Sequence, residues 1–499
     1  MFAVLLFSIF TIFLIYEFYW KRRNLPPGPC PIPIFGNLMS LKFPPPGYEV
    51  SKDGQNNMET FTRFKPHIMI NTYEKIKETF IRDPDTYVNK TKQSFNDLLR
   101  GGDFGVVNSN GERWRDHRRF ALSTLRDFGL GKNLMRERIL LEVQDIFSKF
   151  DSTIGSETEI PPKFDVAIAN VINQVLFGYR FDETKTRQEE FEKLKIIIDA
   201  PVKSFGKLPF FLAMNVRFIE KILPDSMYHR PAREFRESAF GFFKKQIDEH
   251  KKSVDLEDLG SESSDYVETY LKEQRKRELE GDTESFSDVQ LANMCLDLWF
   301  SGLATTRNTI TWAISYMLHY PDVQQKVHEE LNKVIGSDRL ITTADKNDLP
   351  YMNAFINVRG DILFKKNTVI NGYRIPEGTG VVAQISTVMN DESIFPDHKS
   401  FKPERFIDDQ GRLKKVEELI PFSTGKRQRL GEGLARMELF LFISNFFNRY
   451  QVQKVFRRLM NKDCFFKVLP SKDGPPSLNK SSVSLVAPRM FSAVVNKRK

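Results

Sequence analysis

The chain has 499 residues, 40% of them apolar, with 74 basic and 65 acidic residues that leave a net charge of +9. This is the composition of a globular protein with enough apolar chain for a large core, and a solvated mixed surface accounts for so modest a charge. Three cysteines, odd in number and widely spaced, argue against a disulfide framework and fit a reducing compartment.

The first element in chain order is the least globular. From Phe2 to Trp20 the only charge is Glu17, and as a helix the stretch is long enough to cross about 30 Å of hydrocarbon. Lys21, Arg22 and Arg23 follow, with Tyr16, Tyr19 and Trp20 where an aromatic belt would sit. There is neither a basic start nor a small-residue cleavage site. We therefore expect a transmembrane anchor over residues 1–20 with the body on the cytosolic side. The alternating prolines of Leu25-Pro26-Pro27-Gly28-Pro29-Cys30-Pro31-Ile32-Pro33 make residues 21–38 a basic, stiff hinge. Residues 39–499 show no internal repeat and no second linker, and read as one body.

From about residue 110 to 345 the pattern is mostly helical, with apolar residues spaced by three and four in 190–200, 235–250 and 289–318. The longest helix is predicted to begin at Ser287, where Ser287 and Gln290 have capping-box spacing, and to end at Tyr320-Pro321. About thirty residues make a rod of roughly 45 Å. Leu291, Met294, Leu298, Trp299 and Phe300 make it apolar on most faces and predict burial, while Asp297, Arg307 and Asn308 argue against a second membrane span. Strand signals are fewer and come later, including Asn371-Gly372 as a tight turn. Basic runs such as Lys272-Glu273-Gln274-Arg275-Lys276-Arg277 are interrupted by acids and lack interleaved aromatics, so no nucleic-acid partner is expected.

Four short patterns carry chemistry. Trp114 and Arg118 stand one helical turn apart, and indole N–H plus guanidinium suit a carboxylate. Taken alone, a surface cation–π pair explains them as well. Inside the long helix lies Ser301-Gly302-Leu303-Ala304-Thr305-Thr306, where Gly and Thr serve either close packing or proton transfer. Phe401-Lys402-Pro403-Glu404-Arg405-Phe406 precedes the loop Pro421-Phe422-Ser423-Thr424-Gly425-Lys426-Arg427-Gln428-Arg429-Leu430-Gly431-Glu432 and a predicted amphipathic helix over 434–447.

In this order, spanning nearly the whole chain, these segments resemble the cytochrome P450 family of microsomal haem-thiolate monooxygenases. The resemblance implies a mainly α fold with a small β region and a haem cofactor. It also implies an NADPH-dependent reductase as partner, a lipophilic small molecule (a fatty acid or xenobiotic) as substrate, and residence in the endoplasmic reticulum membrane. By the same match Trp114, Arg118 and Arg427 would hold a haem propionate, and Gly302 would let the haem plane approach. Phe422, Gly425 and Gly431 would shape the ligand loop, and Thr305, with Thr306 beside it, would relay protons. The cluster Arg113, Arg115, Arg118 and Arg119 beside His117 could dock an acidic reductase, and a solvated helix face explains it almost as well.

The sequence departs from the pattern where the iron ligand belongs. The family motif Phe-x-x-Gly-x-Arg-x-Cys-x-Gly is filled at every fixed position but one, and there stands Arg429. Thiolate sulfur pushes electron density toward bound oxygen. Guanidinium has five N–H donors and no lone pair to give a metal. No metal ligand is therefore assigned, and a cation facing ferric iron predicts that Arg429 turns outward. Cys30, Cys295 and Cys464 lie in no comparable loop. The family's Glu-x-x-Arg pair is also missing: Ile356-Asn357-Val358-Arg359-Gly360-Asp361 stands in its place, and Arg405 is expected to lose its carboxylate partner. Three readings follow. The first is a family member inactive as a monooxygenase. The second is an active monooxygenase, if the residues written at 350–372 and 429 are errors. The third is a non-catalytic, membrane-tethered lipid- or haem-binding protein.

Overall fold

The computed structural model describes residues 2–20, 58–62, 65–90, 94–128, 133–205, 210, 213, 217–357, 364–365, 379–398, 400–454, 456–460, 466–470 and 491–498. The main helices are α1 (Phe2–Phe18), α2 (Gly111–Asp127), α3 (Asn133–Asp151), α4 (Pro161–Phe177), α5 (Lys185–Phe205), α6 (His229–Ser253), α7 (Tyr266–Leu279), α8 (Asp288–His319), α9 (Pro321–Val334), α10 (Pro350–Asn357) and α11 (Glu432–Arg449). Three small sheets accompany them. The first runs β1 (Met58–Thr62), β2 (Lys65–Ile70), β5 (Gly380–Ala383), β4 (Phe364–Lys365), with β2 and β5 parallel and His67 opposite Gly380. The second is antiparallel, β3 (Glu157–Glu159), β9 (Ser492–Lys497), β6 (Tyr450–Gln453), and the third is the hairpin β7 (Phe456–Met460) and β8 (Phe466–Pro470). The mainly α architecture with a small β region is thus present.

The central rod forms where its sequence places it. Ser287 caps α8 by accepting from the Gln290 N–H, and Pro321 opens α9 directly after Tyr320. Only half of the predicted capping box is made, because the Gln290 side chain turns away to accept from Gly105 N–H at 2.8 Å. Burial is nearly continuous from Gln290 to Trp299 and again from Ile310 to Leu318, as an all-round apolar helix demands. α4 lies against α8 and is almost wholly buried, started by Pro161 and stopped by Gly178, whose φ of 75° few other residues adopt. α11 differs from its predicted amphipathic character. It is enclosed along most of 434–447, since it runs through the middle of the core rather than over it.

At the N-terminus, α1 is an apolar helix of 17 residues, and most of its described side chains are exposed. At 1.5 Å per residue it rises about 26 Å, short of the hydrocarbon thickness of about 30 Å. No helix among the described residues is long and apolar enough to cross a membrane. The predicted hinge over 21–38 and the Asn371-Gly372 turn lie outside the described residues.

Candidate functional site: the Arg427 loop and its cationic cradle

Loop 421–431 leads into α11, and its shape is set by its own backbone. Ser423 N–H donates to Ile420 O at 3.0 Å, Gln428 N–H to Gly425 O at 3.0 Å and Arg429 N–H to Phe422 O at 3.1 Å. The turn needs left-handed backbone at Ser423 (φ 64°) and Gly425 (φ 79°), and a Cβ on Gly425 would run into the carbonyl of Phe80. Phe422 is half-buried, with the Arg436 guanidinium 5.0 Å from its ring centre. Gly431 is the N-cap of α11 and is exposed, with open space where a Cβ would stand.

The loop meets α2 through its arginines. Arg118 donates to Gln428 O at 2.6 Å. Arg427 donates to Val88 O at 2.6 Å, to Ser109 O at 2.7 Å and to Asn110 Oδ1 at 3.0 Å, and its guanidinium lies 3.9 Å from the Trp114 ring centre. Buried Trp114 presents an indole N–H with no acceptor. The acceptors around Arg427 are neutral, and no carboxylate pairs with it among the described residues. Burial, and then the Arg118 charge, pull its pKa down to about 9. Burial also lowers Arg118. Desolvation, with Arg427 next in weight, takes Lys90 down to about 8. Behind this group Asp297 of α8 ties the preceding loop down, accepting from Val106 and Val107 N–H at 2.8 and 2.9 Å and pairing with Arg100 at 2.7 Å.

Arg429 does not turn outward. It is half-buried, makes no ion pair among the described residues, and desolvation lowers its pKa to about 10. The reason is local: Phe422 O fixes its backbone in the turn that leads into buried α11.

The α8 segment divides in two. Ser301 is exposed in mid-helix and Thr305 is half-buried beside it, its hydroxyl donating to Ser301 O at 2.6 Å, so this face of the rod is open. Thr306, rotated by one residue, faces the core and donates to Glu438 of α11 at 3.1 Å. Glu438 is enclosed, and desolvation raises its pKa to about 8. Gly302 lies against α4: a Cβ there would meet Ile172 at 3.2 Å, so in this structure its missing side chain serves helix packing. Sequence reasoning missed Glu438, although an acid within Met437-Glu438-Leu439-Phe440-Leu441-Phe442 was the available signal.

Elsewhere the predicted sites separate. His117 is fully buried, its Nε2 2.9 Å from Ser285 O, and burial lowers its pKa to about 4, so it belongs to the core and not to a docking face. Arg113, Arg115 and Arg119 remain exposed. Arg405 donates to Asp397 O and Ser400 O at 2.7 and 2.8 Å, while its buried Nε has no partner. Glu404 instead holds Tyr351 Oη at 2.8 Å and Lys326 Nζ at 2.6 Å. Cys295 is buried in α8, its thiol pushed up by desolvation. Among the described residues Glu142, Asp145 and Asp182 are close enough to share a cation, and Arg180 already pairs with all three.

Comparison with known proteins now decides the family. The cytochrome P450 family model matches residues 26–473. The chain belongs to the cytochrome P450 family. It is 32% identical over 464 residues to cytochrome P450 2C29 of Mus musculus, covering 87% of this chain and 89% of that protein. It is 30% identical over 461 residues to cytochrome P450 2C16 of Oryctolagus cuniculus, covering 88% and 90%, and 29% identical over 457 residues to cytochrome P450 2A9 of Mesocricetus auratus, covering 87% and 90%. Cytochrome P450 membership implies haem, and the site fits it in part. The orphaned Trp114 N–H and the cations around it suit carboxylates. Arg429 does not suit iron, because its half-buried guanidinium is a cation with no lone pair to give a metal.

Proposed function

We propose that this protein is a cytochrome P450 family member without haem-thiolate monooxygenase activity. It is tethered by its apolar N-terminal helix to the endoplasmic reticulum membrane with its body on the cytosolic side. The observation that carries this reading is Arg429, a charge without a carboxylate partner among the described residues, at the place where the family motif has its thiolate. The Nε of Arg405, without a partner among the described residues, adds to it, since the sequence at 356–361 has no Glu-x-x-Arg pair to lock the Pro403–Phe406 turn. Retained donors at Trp114, Arg118 and Arg427 support a cradle that still holds an anionic, largely apolar molecule, and the relatives support lipophilic ligands. The active reading, oxidation of fatty acids or xenobiotics with electrons from an NADPH-dependent reductase, draws on the same relatives and requires a thiolate that loop 421–431 does not supply.

The test is the reduced carbon-monoxide difference spectrum of the purified full chain. No thiolate-type Soret band is expected after reconstitution with haem, and its appearance would overturn the proposal.

A further inference from the structure

Resting on that reading, we infer that the cradle binds the carboxylates of a tetrapyrrole whose centre carries no net charge, and that Arg429 selects against the ferric form. Two sets of groups make opposite demands. Around Trp114 stand Arg427 at 3.9 Å and Arg118 at 5.8 Å from the ring centre, with an indole N–H that is buried and has no acceptor. The acceptors of both guanidinium groups are carbonyl oxygens and the Asn110 amide, so no carboxylate neutralises their charge among the described residues. Buried charge without a counter-ion is costly, and an anionic ligand with carboxylates relieves it. The exposed Ser301 and half-buried Thr305 on α8 leave an open face for its apolar body.

Arg429 makes the second demand. It sits two residues beyond Arg427, half-buried, its backbone N–H held by Phe422 O at 3.1 Å, and it makes no ion pair among the described residues. A ferric tetrapyrrole centre carries one net positive charge, whereas metal-free and zinc centres carry none. In a water-poor site a like charge nearby is weakly screened and strongly disfavoured. The same carboxylates are thus welcomed at the rim whatever the centre, and the centre decides affinity.

The experiment titrates the detergent-solubilised full chain with metal-free, zinc and ferric protoporphyrin, followed by absorbance. Metal-free and zinc forms should bind alike, and each about tenfold or more tighter than the ferric form. Arg429→Leu should erase the difference and Arg429→Lys keep it, while Trp114→Phe and Arg118→Gln should weaken all three. Ferric binding as tight as metal-free binding in the wild-type chain would overturn the inference. A preference that survives Arg429→Leu would do the same, as would binding indifferent to Trp114→Phe and Arg118→Gln, the mark of surface adhesion. Circular dichroism separates a misfolded variant from a folded one, and Arg429→Gln replaces the Leu variant if that fails to fold. A thiolate-type carbon-monoxide band would overturn the proposed function itself, whereas equal affinities without that band overturn only the charge selection.

Discussion

Thr306 donates its hydroxyl to Glu438 at 3.1 Å, and this bond joins α8 and α11 across the core. Desolvation raises the Glu438 carboxyl to about 8 against this single bond, which pulls the other way. Its folded pKa therefore exceeds its unfolded value, and the sign follows. The stabilisation it provides is complete below about pH 4.5 and is lost as pH rises toward 8. Glu438→Gln should flatten this fall and leave the variant the more stable protein at pH 8, by up to about 5 kcal/mol. Thermal denaturation of both proteins between pH 5 and pH 8 checks it, and parallel curves would refute the assignment.

Arg429 is charged in both folded and unfolded chains at neutral pH, so the desolvation that lowers it to about 10 acts as a full penalty there. Arg429→Met should raise stability by about 2 kcal/mol at pH 7, with the gain shrinking as pH passes 10. Urea denaturation measures it. A destabilised Met variant would mean that the guanidinium is compensated.

Glu330 of α9 accepts the N–H groups of Tyr351 and Met352 at 2.7 and 2.8 Å, capping the short helix α10. Glu330→Ala leaves both donors orphaned and should cost about 1–2 kcal/mol. Hydrogen exchange should quicken first at residues 351–354, and uniform exchange across the chain would contradict a local cap.

Gly425→Ala places a methyl group against the Phe80 carbonyl at a φ of 79°. A loss of about 1–3 kcal/mol is expected from urea denaturation. An unchanged midpoint would show that the turn relaxes freely.

Arg405 bears on one more variant: because its Nε has no partner among the described residues, placing Cys at position 429 should leave the turn at Pro403–Phe406 unlocked. Arg429→Cys alone is therefore expected to recover little oxidation of a fatty-acid substrate, measured as product formed with a reductase. Full recovery would refute the weight given to the missing Glu-x-x-Arg pair.

The sequence by itself determined what is local. Ser287, Pro321 and the apolar run between them specified α8 nearly to the residue, because caps, proline and periodicity act within a few positions. It also determined that the loop 421–431 carries Arg429 and no cysteine, which is a matter of order and spacing. Only the tertiary structure decided where side chains a turn apart would face. It sent Thr306 to Glu438, Gly302 to Ile172, His117 into the core and Arg429 inward. Partners 132 residues apart, as Thr306 and Glu438 are, leave no periodic trace in either segment. Such contacts depend on how whole helices are laid against one another, and that placement is set by the collective burial of the core.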